Sequence, residues 1–256
     1  MTKIEWCTES WNPVTGCTPV GAGCLNCYAK RQAERLQRMG VLKYCHGFQV
    51  KCWPTELDAK VLRKRKPQLI FVCSMSDLFH RRVPGAFISQ VWAKMVLPPG
   101  SRHTYIVLTK RPQRMLSWMK ALGCAFDVAP NIWLGVSVST QREADELIPI
   151  LLQCPAAKRI VSYEPALEPI PWHTYFKNYS QPPKPDHPGI DWLICGCESG
   201  PKRRPFDEDW ARFARDVCID NGVPFFYKQG RDERNRVVKM PLLDGRRYEE
   251  YPCHSR

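Results

Sequence analysis

The chain of 256 residues is 44% hydrophobic, enough for a sizeable core, and contains no apolar run long enough to span a bilayer as a helix. Its 38 lysines and arginines against 25 acidic residues leave a charge of +13 with histidines neutral, which favours a polyanionic partner such as a nucleic acid over a merely solvated basic surface. Thirteen cysteines behind an N-terminus without the apolar core of a signal peptide predict reduced thiols and a metal site in a soluble cytoplasmic protein, not a disulfide framework.

The chain begins with a short, aromatic-rich, strand-like stretch from Trp6 to Val14. It leads into a glycine-containing loop with three cysteines at C-x6-C-x2-C: Cys17, Cys24 and Cys27. After the loop, Ala29, Ala33 and Leu36 fall at helical spacing, with Lys30, Arg31, Glu34 and Arg35 on the other faces and Gly40 as a stop. Residues 41–66 read as a loop excursion with a short helix around Leu57, Val61 and Leu62. Cys45, His46 and Cys52 lie there at a spacing too weak to define ligands.

A regular alternation then sets in. Apolar strands are predicted at Leu69–Cys73, Thr104–Thr109, Ile132–Val138, Arg159–Tyr163, Asp191–Gly196 and Pro224–Tyr227. Between them lie a helix with Phe87, Ile88, Val91, Trp92, Met95 and Val96 on its buried face, and a second opened by Pro112. A third spans 141–152, and a fourth is capped by Asp207, with Trp210, Phe213, Ala214 and Val217 inward and Asn221-Gly222 ending it. The proline-rich stretch 165–189 interrupts the rhythm and reads as a surface insertion.

This pattern predicts an α/β fold: an incomplete (β/α)6-7 barrel with mostly parallel strands over residues 1–230, followed by a polar, basic C-terminal tail at 231–256. In such folds the chemistry sits at the C-terminal ends of the strands. Those ends here carry Ser74, Ser76 and Asp77; Lys110 and Arg111; Ser137 and Ser139; Glu164; Glu198 and Ser199; Lys228 and Gln229. Recurrence across repeats favours one shared site over a series of unrelated caps.

Three thiolates without a neighbouring histidine suit a centre with one position open. An iron–sulfur cluster held by three cysteines has that property. On spacing alone, a zinc knuckle completed by a distant cysteine or His46, or three cysteines that merely pack, stays open.

The whole set of motifs resembles a known group. A strand, a three-cysteine loop, an aromatic after the last cysteine and then β–α units look like the radical S-adenosylmethionine superfamily. Cys24-Leu-Asn-Cys27-Tyr28 is similar to the branch that includes spore photoproduct lyase. More closely, Trp11-Asn-Pro-Val-Thr-Gly-Cys17, Ser74-Met-Ser-Asp-Leu-Phe79, Leu108-Thr-Lys-Arg-Pro112, Gly135-Val-Ser137, Ser162-Tyr-Glu-Pro165, Glu198-Ser-Gly-Pro201 and Phe226-Tyr-Lys-Gln229 resemble a phage-borne and bacterial family of undefined function. The superfamily's usual C-x3-C-x2-C is here three residues longer between the first two cysteines, which leaves open how the first ligand is presented.

The resemblance implies that Cys17, Cys24 and Cys27 hold a 4Fe–4S cluster whose free iron binds S-adenosyl-L-methionine. Reductive cleavage would then yield a 5′-deoxyadenosyl radical that abstracts hydrogen from a nucleic acid or nucleotide substrate. It further implies an electron donor protein and leaves room for a partner protein. Asp77 becomes the expected partner of the cofactor's amino group, with Tyr28, Ser76, Lys110, Ser137 and Glu164 as further cofactor contacts. Glu198 and Lys228 are the expected catalytic pair, and Arg111, Lys202, Arg203 and Arg204 face substrate phosphate. Two other classes compete: a non-catalytic nucleic-acid binder stapled by zinc, and a nucleotide- or phosphodiester-processing enzyme using Asp77, Glu164 and Glu198 around a hard divalent ion.

Overall fold

A computed structural model of the protein describes residues 4–123, 128–176 and 189–253. The chain divides into two units. The first comprises Met1–Val20, Cys27–Leu134 and Pro155–Ala157, and the second Gly21–Asn26, Gly135–Cys154 and Lys158–Arg256.

In the first unit, β1 (Glu9–Trp11), β2 (Val14–Thr15), α1 (Tyr28–Arg38), β3 (Lys51–Cys52), β4 (Leu69–Val72), α2 (Gly85–Val96), β5 (Thr104–Thr109) and α3 (Pro112–Ala121) follow in order. Strand β4 runs parallel to both β1 and β5, pairing Val72 with Trp11 on one side and with Val107 on the other. β2 and β3 form a separate antiparallel ribbon. The central strands are apolar throughout because α2, with Ile88, Val91 and Met95 fully buried, and its neighbours bury them. In α1 the small residues Ala29 and Ala33 pack against Tyr44 and Met75, and Gly40, at φ +72°, ends the helix.

Residues 41–66 hold no α-helix. Instead there are short 3-10 turns at Leu42–Tyr44, Pro54–Asp58 and Lys60–Arg63, and the short helix expected near Leu57 is split at Ala59, whose ψ of 142° is extended. The excursion is nonetheless tied down. Trp11 Nε1 donates to the Glu56 carbonyl and Trp53 Nε1 to Thr15 Oγ1, both at 2.8 Å.

Strand β6 (Ile132–Val138) contributes its first three residues to the first unit and the rest to the second. The second unit continues with α4 (Gln141–Leu151), β7 (Lys158–Tyr163), α5 (His173–Phe176), β8 (Trp192–Gly196), α6 (Glu208–Asp220), β9 (Phe225–Arg231) and β10 (Val237–Lys239). β7, β8 and β9 are parallel neighbours, and β10 pairs antiparallel with β9. A capping box opens α4: Thr140 Oγ1 accepts from Glu143 N, and Glu143 Oε2 accepts from Ser139 N. Asp207 caps α6 by accepting from Asp209 N.

Three expectations change here. The buried face of α6 carries Ala211, Ala214, Val217 and Cys218, leaving Phe213 exposed and Trp210 half-buried, because the alanines allow close approach to the sheet. The proline-rich stretch is not all surface. Ala166, Ile170, Trp172 and Phe176 are buried, with Trp172 edge-on to Tyr163, whereas 177–188 lies outside the described residues. Nor is the C-terminal stretch a loose tail. Beyond β10, Leu243 and Tyr248 are buried, Tyr227 N donates to the Tyr248 carbonyl, and Glu250 N donates to the Phe225 carbonyl.

The architecture is the α/β, mostly parallel one expected of a partial (β/α) barrel. Among the described residues, no helix is long and apolar enough to cross a membrane.

Candidate functional site

The end of β4 organises the first unit. Cys73, the next residue, sits at φ +61°, a left-handed conformation uncommon for a side chain with a Cβ, and turns the chain so that 74–77 fold across the strand end. Ser74 and Met75 are gripped by Asn12: Asn12 Nδ2 donates to Ser74 Oγ at 3.1 Å, and Met75 N donates to Asn12 Oδ1 at 2.9 Å. Ser76 Oγ donates to the Val14 carbonyl at 2.8 Å, and Tyr28 donates its hydroxyl proton to the Ser74 carbonyl at 2.5 Å. Ser76 and Tyr28, expected at the cofactor, thus fasten both flanks of the cysteine loop to β4. Gly16 has φ +78°, and a methyl group there would lie 2.1 Å from the Gln49 carbonyl oxygen, so only glycine lets the chain reach Cys17 by this route.

Asp77 is buried and accepts four hydrogen bonds. Oδ1 takes Phe79 N (2.9 Å) and Thr109 Oγ1 (2.8 Å), while Oδ2 takes Lys110 N (3.2 Å) and Arg111 Nη1 (2.8 Å). With its lone pairs filled, it is placed to hold Arg111, not to meet a cofactor's amino group. Arg111 in turn reaches the cysteine loop. Its Nη1 donates to Cys17 Sγ at 3.5 Å, and its Nη2 donates to the Thr18 carbonyl at 2.8 Å and to Thr18 Oγ1 at 3.3 Å. Burial opposes the Arg111 charge, but Asp77 and Cys17 outweigh it and raise its pKa above the ordinary value. Arg111, expected at substrate phosphate, is here engaged with the cysteine loop.

His80 closes this network. Its Nδ1 accepts from Arg82 N at 3.1 Å, so in the neutral ring Nε2 carries the proton and donates it to Thr18 Oγ1, 2.9 Å away. Burial, and then Arg111, push the imidazole below its usual value, which favours that neutral form. Asn12, Thr18, Thr109 and His80 escape sequence reasoning as participants, although Asn12 and Thr109 lie inside quoted motifs.

The second unit carries further ion pairs at its strand ends. Glu198 is buried and locked to Arg204, whose Nη2 donates to Oε1 at 2.5 Å and whose Nε and backbone N donate to Oε2 at 3.1 and 2.8 Å. Asn26 Nδ2 adds a bond to the same Oε2 at 2.9 Å and one to the Lys202 carbonyl at 2.7 Å. Burial opposes Glu198 ionisation, but Arg204 and Asn26 overcome it and hold the carboxyl below its ordinary range. Glu198 is consequently an anchor for the loop segment at Asn26, and no free base. Arg203 donates to the carbonyls of Gly200 and Asn235, so it too is spent internally, whereas Lys202 is exposed.

Lys228 Nζ lies 2.7 Å from Glu164 Oε1, and Ser162 Oγ donates to Glu164 Oε2 at 3.1 Å. Gly196 faces this pair: a methyl group there would come within 3.1 Å of Glu164 Oε1. Ser137 on β6 and Lys110 after β5 are both half-buried at strand ends.

Cys17, Cys24 and Cys27 form no disulfide and are half-buried. Cys24 ends a short turn at Ala22–Cys24, and Cys27 immediately precedes α1. Among the described residues no three His, Cys, Asp or Glu side chains stand grouped to hold a metal, so the expected convergence of these cysteines is not displayed. The donor chemistry nevertheless fits a soft metal centre: accessible reduced thiols, one already receiving an N–H bond from a guanidinium. Elsewhere burial keeps thiols protonated. It raises Cys73 to about 12 and also raises Cys195 and Cys197, so these act as small apolar side chains.

Fold and strand ends together define a mostly parallel α/β protein with ion pairs at its strand termini. The chain belongs to the family described as protein of unknown function (DUF5131), whose model matches residues 1–252. Similar solved structures are those of spore photoproduct lyase. A variant with bound AdoMet and dinucleoside spore photoproduct is 11% identical with a TM-score of 0.45, the match covering 87% of this chain and 64% of that one. A second, complexed with dinucleoside spore photoproduct, is 12% identical with a TM-score of 0.42, covering 81% and 60%. This chain therefore spans less than two thirds of the length of these proteins. No curated protein sequence matches it.

Proposed function

We propose that the protein is a radical S-adenosylmethionine enzyme acting on a nucleic acid or nucleotide in the reducing cytoplasm, with Cys17, Cys24 and Cys27 holding a 4Fe–4S cluster. The observation that carries the reading is the treatment of the cysteine loop. Its cysteines form no disulfide and are half-buried, and the first of them is the hydrogen-bond acceptor of a half-buried, carboxylate-held arginine. A loop of merely packing cysteines has no use for such support. When bound, the cluster supplies one electron to the sulfonium of S-adenosyl-L-methionine and so opens hydrogen abstraction from substrate.

The chain's own residues do the rest. Asn12, Ser76 and Tyr28 fix the loop's flanks to the end of β4. Lys110 and Ser137, half-buried at strand ends, would contact the cofactor's carboxylate and ribose. Glu164, paired with Lys228 and hydrogen-bonded by Ser162, is suited with its partner to hold or move a proton on the substrate. Phosphate recognition falls to exposed cations: Lys30, Arg35 and Arg38 on α1, Arg65 and Lys66 before β4, and Lys202. An electron donor protein completes the cycle.

Anaerobic purification with iron, sulfide and zinc analysis tests the proposal. The expected result is brown protein with about four irons per chain, reductive cleavage of S-adenosyl-L-methionine, and loss of both in Cys17→Ala, Cys24→Ala and Cys27→Ala. Colourless protein with one tightly bound zinc and no cleavage overturns it.

A further inference from the structure

The sequence poses a particular problem: three residues beyond the usual spacing separate Cys17 from Cys24, which leaves open what presents the first cysteine. The first unit contains a device suited to that task. Asp77 is buried and holds Arg111 at 2.8 Å, with Thr109 Oγ1 and the backbone N–H groups of Phe79 and Lys110 filling its other acceptor positions. The guanidinium, fixed in plane by that bond, extends Nη1 to Cys17 Sγ and Nη2 to both oxygens of Thr18. On the far side of Thr18, His80 donates to the same hydroxyl, and its ring is oriented by Arg82 N. A guanidinium supplies these donors in one rigid fork, which a lysine cannot reproduce.

We propose that Asp77 and Arg111 form a positioning pair for the first cluster cysteine: Asp77 orients Arg111, and Arg111 seats the Cys17 thiolate and donates a hydrogen bond to its sulfur. The inference rests on the cluster reading of Cys17, Cys24 and Cys27. It gives Asp77 and Arg111 a different task from cofactor-amine and phosphate binding. Neither touches the reacting atoms. They act through Cys17 and Thr18.

Two consequences follow when the cluster is in place. A cation that hydrogen-bonds to a ligand sulfur stabilises the reduced, more negative cluster, so removing it makes reduction harder. Loss of the fork also frees the Cys17–Thr18 segment, so iron is held less firmly.

The test is anaerobic reconstitution of the full-length protein and of Arg111→Lys and Arg111→Gln, with iron and sulfide counted and the reduction midpoint followed spectroscopically. Folding is checked by thermal melting of each metal-free protein. The expected result for Arg111→Gln is a tenfold shift of the reduced-to-oxidised ratio toward oxidised at fixed poise, equivalent to about 59 mV for one electron, together with several-fold faster iron loss to a chelator. Arg111→Lys keeps the charge without the fork, so it should recover part of the potential but not the iron retention. If wild-type protein binds no iron, the functional reading itself fails. If wild-type protein holds a cluster and both variants match it in potential and chelator resistance, the pairing is overturned while the function stands. A variant that melts far below wild type is replaced by Thr18→Ala, which removes only the hydroxyl anchor. It is expected to speed iron loss without moving the potential, and unchanged iron loss would overturn the seating role.

Discussion

Both units set a buried carboxylate against an arginine at a strand end, yet the two pairs are wired differently. In the second unit Arg204 turns both arms of its fork back on Glu198, and Asn26 is fastened to the closed pair. In the first, Asp77 takes one arm of Arg111 and leaves the other free to reach Thr18, while the shared nitrogen also reaches Cys17. The first arrangement passes the carboxylate's hold onward to a thiol, whereas the second simply clasps a backbone segment. A buried ion pair is weak evidence for stability in itself; what distinguishes these two is where their spare donors point.

The contrast can be broken from the first unit. Asp77→Asn leaves Arg111 without its counter-charge in a largely buried setting, and should lower unfolding free energy by about 3–5 kcal/mol, measured by denaturant titration. Gly16→Ala forces a left-handed backbone and a clash with the Gln49 carbonyl in the same unit. It should cost about 2–4 kcal/mol, read in the same assay.

The second pair sharpens the comparison through pH. The carboxyl of Glu198 is held below its unfolded value, so its contribution is complete above the unfolded glutamate pKa, about 4.3, and is lost as pH falls through the folded one. Glu198→Gln should therefore be less stable than wild type by about 2–3 kcal/mol at neutral pH, with the gap closing only below about pH 4. Thermal melts at several pH values check the sign, since a gap that widened toward acid would contradict it. Smallest of all, Lys202→Ala should leave stability within about 0.5 kcal/mol. It should also reduce the salt slope of nucleic-acid binding by about one, as read from titrations at several salt concentrations.

The alternation of strands and helices was legible because apolar runs such as 104–109 and paired apolar positions such as those of α2 are local signals. The turns between 41 and 66 were not, because such short 3-10 turns carry no amphipathic period and are fixed by distant partners such as Trp11 and Thr15. The inward face of α6 was misjudged because aromatic bulk at Phe213 outweighed the alanines that allow close packing. At the site, Asp77, Arg111 and Glu198 stood out by residue type and strand-end position. Their roles did not, because a carboxylate's duty depends on partners 34 residues away for Asp77 and 172 for Glu198. No local pattern encodes that Arg111 bends toward Cys17 or that Asn26 finds Glu198.

The closing segment has a practical bearing. By laying β10 antiparallel along β9 and returning Tyr248 and Glu250 to hydrogen-bond with Tyr227 and Phe225, it occupies amide and carbonyl groups that a bare margin would offer to any passing chain. Versions shortened after Arg231 would carry an uncapped template for intermolecular pairing, and self-association, not loss of chemistry, would be their first defect.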